Sequence, residues 1–173
     1  MNEVRVNFKY VPPARALVEK RKRYKYWFGG RGRGASESVA TYLVERALFN
    51  RVKIWGAKSV QESIGDSVYS VIEKNIRRYG LEAFFNFTNN EIICLKTGSK
   101  FIFKGMNVNG NELVSSQKLK AYDDIDIVWI DEAQMLLSKE VFNVLDPTIR
   151  NEGSELIFTF NPVTENDAVW EYG

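Results

Sequence analysis

A mostly parallel α/β sheet, covered by helices on both faces and carrying a small antiparallel hairpin insert, is the fold class this sequence predicts. Two observations lead there. Strand-like and helix-like segments alternate along the chain, the order expected when each parallel strand is followed by a crossover helix. In addition, Ile127–Ile130 is uninterruptedly apolar and Leu156–Phe160 is apolar except for Thr159. Strands buried on both faces of a parallel sheet have that character.

The elements follow in order. Pro12 and Pro13 end an extended arm, and Ala14–Arg21 has a short helical pattern with Pro13 near its first turn. Tyr24–Phe28 is an aromatic strand that stops at Gly29. Ser36–Asn50 spaces Val39, Leu43, Ala47 and Leu48 as a helix does, and Val52–Trp55 is a short apolar strand. Val60–Tyr79 sets Ile64, Val68, Val71, Ile72 and Ile76 on one side of a second helix, with Gly80 as its stop. Phe84–Phe87, Ile92–Leu95 and Lys100–Phe103 are short antiparallel strands, turning at Asn89-Asn90 and Thr97-Gly98-Ser99. Met106–Lys120 is polar and aperiodic, a loop. Ile125–Ile130 is a core strand, Ser138–Arg150 a third helix with Ser138 as its N-cap, and Leu156–Phe160 a last strand stopped by Asn161-Pro162. The chain stops soon after this strand with no closing element, which predicts a fragment of something longer.

The 173 residues suffice for one domain with its own core. No apolar run reaches the ~18 residues a membrane helix needs, and the N-terminus lacks the apolar region of a signal peptide. A single cysteine, Cys94, excludes an intramolecular disulfide and predicts a reducing, intracellular setting. The absence of histidine argues against zinc sites and histidine-based acid–base catalysis. Chemistry is left to carboxylates, Lys and Arg, hydroxyls and a bound ion. The net charge is only +2, but residues 15–33 carry Arg15, Lys20, Arg21, Lys22, Arg23, Lys25, Arg31 and Arg33 against Glu19 alone. A basic segment feeding a glycine-rich loop points to polyphosphate or nucleic acid; a solvated helix face is the plainer account of Lys20–Arg23.

Two templates compete for that loop. In the Walker A pattern, G-x-x-x-x-G-K-[ST], Gly29 and Gly34 have the right spacing and Ser36 sits at the Mg²⁺-binding hydroxyl position. Successive backbone N–H groups and the following helix N-terminus would hold the phosphates. Ala35, however, stands where the lysine belongs. In the dinucleotide pattern, Gly30, Gly32 and Ala35 match, but the second strand ends at Trp55-Gly56-Ala57-Lys58 without the acid that would hold a ribose. A glycine turn with no ligand is the third possibility.

The segment DIDIVWIDEAQ, residues 124–134, weighs toward the first template. An apolar strand ending in Asp131-Glu132 is the Walker B pattern of ATPases that keep a catalytic glutamate. Asp131 would hold Mg²⁺ and Glu132 would polarise the water attacking the γ-phosphate of ATP. Asn161, at the end of the last strand, is the candidate sensor of that phosphate, or simply a strand cap before Pro162.

These residues resemble the large terminase subunits of tailed bacteriophages. The ATPase domain of that family typically carries GGRGSGKS, Q-x-S-I-x-D-S-V, D-I-x-x-x-x-x-E-A and F-N-P. This chain has Gly29-Gly30-Arg31-Gly32-Arg33-Gly34-Ala35-Ser36, then Gln61-Glu62-Ser63-Ile64-Gly65-Asp66-Ser67-Val68. Asp126-Ile127-Val128-Trp129-Ile130-Asp131-Glu132-Ala133 and Phe160-Asn161-Pro162 follow. The resemblance implies a three-layer P-loop NTPase fold of the type with an additional strand bearing the catalytic glutamate, as a single ATPase domain over 1–173 with an N-terminal arm and helix over 1–23 and a P-loop core over 24–173. It further implies a C-terminal RNase H-like nuclease domain outside this chain. Its nucleotide-binding set is Gly29–Gly34, Ala35, Ser36 and Glu37. Arg23, Tyr24 and Tyr26, just before the loop, are softer candidates for adenine contacts, with core packing of the first strand the plainer account of Tyr26 and Trp27. Catalysis falls to Glu132, Arg31, Arg33 and Asn161, and the metal to Ser36 and Asp131. The implied cofactors are ATP and Mg²⁺. The implied partners are double-stranded DNA, a portal protein, a small terminase subunit and further copies in a ring, often a pentamer, with a monomer in isolation. The implied place of action is the host-cell cytoplasm, at the procapsid and away from any membrane.

The departure is the missing lysine. Either Ala35 is an engineered, disabling replacement, or the charge has moved upstream to Arg33, with Arg31 beside it. Two loop positions differ together, which favours relocation, and a forked guanidinium can reach phosphates from there. A catalytically impaired nucleotide-binding subunit and a helicase-like ATPase, suggested by Asp131-Glu132-Ala133-Gln134, are the other readings; the helicase would need a second motor lobe. Lys118, Lys120 and the Thr97–Lys100 hairpin are weaker candidates for DNA or subunit contacts.

Overall fold

The computed structural model describes residues 5–28, 34–58, 68–103, 124–135 and 140–161. Seven strands form one sheet: β1 (Tyr24–Phe28), β2 (Lys53–Lys58), β3 (Phe85–Phe87), β4 (Glu91–Cys94), β5 (Lys100–Phe103), β6 (Ile127–Asp131) and β7 (Glu155–Phe160). Their spatial order is β1-β7-β6-β2-β5-β4-β3. From β1 to β5 every neighbouring pair is parallel; β4 and β3 continue the same sheet antiparallel. The expected hairpin insert is therefore the far edge of the main sheet. β5 pairs parallel with β2 on one side and antiparallel with β4 on the other.

Helices cover both faces, as the alternation predicts. On one face, α1 (Arg15–Glu19), α2 (Ala35–Phe49) and α3 (Ser70–Arg78) supply Leu17, Leu43, Ala47 and Ile72 to a core shared with Ile54, Ile127, Trp129 and Ile157. On the other, α4 (Glu140–Thr148) and the turn after it bring Leu145 and Ile149 against Trp55, Val128, Ile130, Leu156 and Phe158. A strand sandwiched this way must be apolar on both sides, and every residue of β7 is buried. The first helix is shorter than its pattern suggests, a 3-10 turn over Pro12–Ala14 followed by α1. The arm before it lies along α2 and α3: Tyr10 donates its hydroxyl to Glu45, and the Phe8 and Tyr79 rings lie 4.9 Å apart. No helix among the described residues is long and apolar enough to cross a membrane.

The sheet's amino-terminal edge is held by ionic groups. Glu155 opens β7 at 1% exposure and accepts from Lys25 Nζ at 2.6 Å and from the Tyr42 hydroxyl at 2.8 Å. Arg46 adds a longer contact at 3.4 Å. Lys25 Nζ also donates to the Leu17 carbonyl at 2.8 Å, which ties α1 to β1. Burial pushes the Lys25 ammonium below its ordinary pKa, against the pull of Glu155. Burial and the Glu155 charge push the Tyr42 hydroxyl up.

Candidate active site

The parallel register carries the polar residues to one edge. β1 ends at Phe28, immediately before the glycine loop; β6 ends at Asp131, and β7 runs into Asn161. β7 lies between β1 and β6, with Thr159 opposite both Trp27 and Asp131. In an open parallel sheet this carboxyl edge is where ligands bind.

Residues 29–33, and with them Gly29, Gly30, Arg31, Gly32 and Arg33, lie outside the described residues. The loop's exit is described. Gly34 has φ +69 and caps α2 in the left-handed region. A Cβ there would meet nothing closer than Val11 at 3.9 Å, so conformation rather than space calls for glycine. Ala35 is then the first residue of α2, and Ser36 follows in its first turn.

Ser36 donates its hydroxyl to Asp131 Oδ1 at 3.0 Å, across 95 residues of sequence. The two nucleotide motifs thus meet in space. Two hard oxygens at that separation suit adjacent corners of a magnesium octahedron, roughly 3.0 Å apart for Mg–O distances of about 2.1 Å. No cluster of three or more His, Cys, Asp or Glu exists among the described residues.

Glu132 follows at φ 53, the one described non-glycine residue with positive φ. The left-handed region costs such a residue about 1–3 kcal/mol, and strain of this kind clusters at active sites and ligand clamps. It breaks β6 sharply, and the chain enters a 3-10 turn over Ala133–Met135. From that turn the Gln134 side-chain carbonyl accepts the Asn161 backbone N–H at 3.1 Å. The end of β7 is thereby tied to the turn that carries Glu132. Thr159 donates its hydroxyl to Asp131 Oδ1 at 2.6 Å and accepts the Trp129 indole N–H at 2.8 Å.

Of the expected site residues, Ser36, Asp131, Glu132 and Asn161 gather here, with Gly34 and Ala35 at the entrance of α2. Glu37 does not join them: its Oε2 accepts from Asn75 Nδ2 at 3.0 Å and lies 3.7 Å from Arg78, facing α3. Tyr24 and Arg23 sit at the opposite end of β1. The Tyr24 hydroxyl donates to Asp146 at 2.6 Å. Arg23 clamps the end of α4 through Asp146, Ser154 and the Ile149 carbonyl. Burial would raise the Asp146 pKa, but the bonds from Tyr24 and Arg23 outweigh it and hold the carboxyl below its ordinary value. Asp126, first in its motif, is structural; it accepts from the Lys53 backbone N–H at 2.8 Å and from Asn151 at 2.8 Å. Gln61, Asp66, Lys118 and Lys120 lie outside the described residues. Thr159 is the participant that motif reading passes over, and Gln134 enters that reading only as the end of a helicase-like string. A polar residue interrupting the buried run of β7 is the signal for Thr159.

A glycine-loop strand, an Asp-Glu strand and a polar-ended strand between them, in a mostly parallel sheet, define a P-loop-like protein. Residues 21–172 match the model of a family described as phage terminase large subunit, and the chain belongs to that family. The large terminase of bacteriophage HK97 is similar in fold, with TM-score 0.70 and 11% identity over 95% of this chain and 36% of its own. The chain thus spans about a third of that terminase. The N-terminal domain of the DNA packaging ATPase from bacteriophage phi29 aligns with TM-score 0.61 and 17% identity, over 94% of this chain and 84% of that domain. The large terminase of a thermophilic bacteriophage, in complex with ATP-gamma-S, aligns with TM-score 0.58 and 13% identity, over 82% of this chain and 33% of its own. No curated protein matches the chain.

Proposed function

We propose that this chain is the ATPase domain of a DNA-packaging motor, hydrolysing ATP with Mg²⁺ to move double-stranded DNA into a procapsid. The observation that carries the reading is the 3.0 Å contact of Ser36 with Asp131, which joins the loop motif to the acidic strand. Family membership and the ATP-gamma-S complex of the thermophilic phage terminase support it. When bound, the metal would neutralise charge on the transferring phosphoryl group. Ser36 and Asp131 would hold that ion. Glu132 would orient the attacking water and accept its proton, and Asn161 would contact the γ-phosphate or that water. The glycine loop's backbone would bind the phosphates, with Arg33, assisted by Arg31, in place of the lysine absent at Ala35. DNA would be gripped through its phosphates, with little sequence preference and strong salt dependence. The portal, the small terminase subunit and a ring of copies are the partners this reading carries. Its setting is the host-cell cytoplasm, at the procapsid.

The test is Mg-ATP binding and hydrolysis by the chain as it stands, by Arg33→Ala and by Ala35→Lys. Activity that disappears in Arg33→Ala supports the relocated charge. Activity gained only in Ala35→Lys indicates a disabled site, the catalytically impaired reading. If no form binds Mg-ATP, the ATPase reading fails.

A further inference from the structure

We propose that Thr159 is a positioning residue for Asp131, setting the orientation of the carboxylate that meets the divalent ion. This rests on the nucleotide-site reading above and assigns a task to a residue outside its motifs. The donor–acceptor inventory fixes the direction of the chain of hydrogen bonds. An indole nitrogen can only donate, so Trp129 Nε1–H must give its proton to Thr159 Oγ1, 2.8 Å away. The threonine hydroxyl has one proton, and its acceptor side is already engaged by the indole. The carbonyl of Ile130 lies 3.5 Å away, whereas Asp131 Oδ1 lies at 2.6 Å, the short distance of a charge-assisted bond. The proton therefore goes to Asp131.

Burial makes this arrangement rigid. Trp129 is 0% and Thr159 2% exposed, so water does not compete for either group. Threonine adds a branched Cβ that restricts its rotamer. Ser36 donates to the same Oδ1, so both hydroxyls approach one oxygen. Among the described residues none bonds to Oδ2. The carboxylate is thus anchored from the core side through Thr159, while the α2 side supplies Ser36. Groups that orient a metal ligand from behind typically affect ion affinity or activity by about 10–100-fold.

Mn²⁺ is a suitable probe because its paramagnetic resonance reports the free ion directly. Mn²⁺ is titrated into the 173-residue chain with ADP, against an ADP blank, for the wild type, Thr159→Val, Thr159→Ser and Trp129→Phe. ADP affinity in EDTA is measured alongside. Thr159→Val is expected to weaken Mn²⁺ binding about 10–100-fold with metal-free ADP affinity unchanged. Thr159→Ser should recover most of that loss, and Trp129→Phe should weaken the ion by roughly two- to tenfold. Thr159→Val also strands the buried indole N–H; if it fails to fold, as judged by circular dichroism, Trp129→Phe decides alone. Wild-type Mn²⁺ affinity in Thr159→Val and Trp129→Phe overturns the proposal while leaving the site reading intact. Equal loss of metal-free ADP affinity also overturns it, because it marks a structural role. If the wild type shows no ADP-dependent Mn²⁺ binding, the site reading falls and the proposal falls with it.

Discussion

Replacing Glu155 by glutamine should be among the most destabilising isosteric changes in this chain. The carboxylate is 1% exposed and accepts from Lys25, Tyr42 and Arg46, all on the amino-terminal side of the sheet. Glutamine keeps the shape but removes the charge that compensates Lys25, itself only 8% exposed. The Lys25 pKa, already lowered by desolvation, loses the two influences that raise it, the hydrogen bond and the charge of Glu155. Breaking a buried pair from one side costs about 3–5 kcal/mol. At ~0.05–0.15 kcal/mol per residue, a chain of this length has on the order of 9–26 kcal/mol in total, so the loss is a large share. It corresponds to a melting shift of roughly 6–20 °C. The assay is urea and thermal unfolding of the wild type, Glu155→Gln, Lys25→Met and the double variant Lys25→Met/Glu155→Gln. The double variant should lose clearly less than the sum of its parts, with a coupling of about 1–3 kcal/mol. Nucleotide affinity should hardly change, because Lys25 and Glu155 lie near the starts of β1 and β7 and the candidate site lies at their ends. A Glu155→Gln cost below about 1 kcal/mol, or strict additivity, would refute the reasoning.

Glu132→Gln should retain Mg-ATP binding and lose hydrolysis by about 10²–10⁴-fold, measured by phosphate release beside equilibrium nucleotide binding. Gln134→Ala leaves the Asn161 N–H without its side-chain acceptor and should lower kcat by roughly two- to tenfold with KM nearly constant, read in steady-state kinetics. Asp146, whose folded pKa is depressed, contributes stability that is present above the unfolded value of about 3.9 and is lost as pH falls through the lower folded value. Asp146→Asn should therefore flatten the acid limb of a melting-temperature profile. The effect will be modest, since the Asp146 side chain is a third exposed and partly screened.

Much of this layout is legible in one dimension. Ile127–Ile130 followed by Asp131-Glu132 has the pattern of a buried strand delivering carboxylates to an edge, and β6 is that strand. The step from Gly34 into a helix is equally direct, because a left-handed residue is needed there and only glycine adopts that conformation cheaply. Glu37 illustrates the limit. It follows Ser36 by one residue, but one residue turns the side chain about 100° around a helix, away from Asp131 and toward Asn75. Tyr24 lies away from the loop for a similar reason. Four residues of extended chain separate it from Phe28, about 13 Å along the strand, so proximity in sequence is not proximity to the loop.

Already written in the chain itself are the layers, the strand that carries Asp131-Glu132, a helix following the glycine loop and the family resemblance. These depend on local periodicity and on residue types that each element requires. Tertiary structure alone decided which strands are neighbours. By inserting β7 between β1 and β6 it set Thr159 against Asp131, and by joining β5 to β2 it made the apparent insert part of the main sheet. It also gathered Lys25, Tyr42, Arg46 and Glu155 into one buried ionic group. Strand order and side-chain pairing are set by long-range packing, where each hydrogen bond and buried charge needs a partner far away in the chain. No local pattern encodes that partner's position.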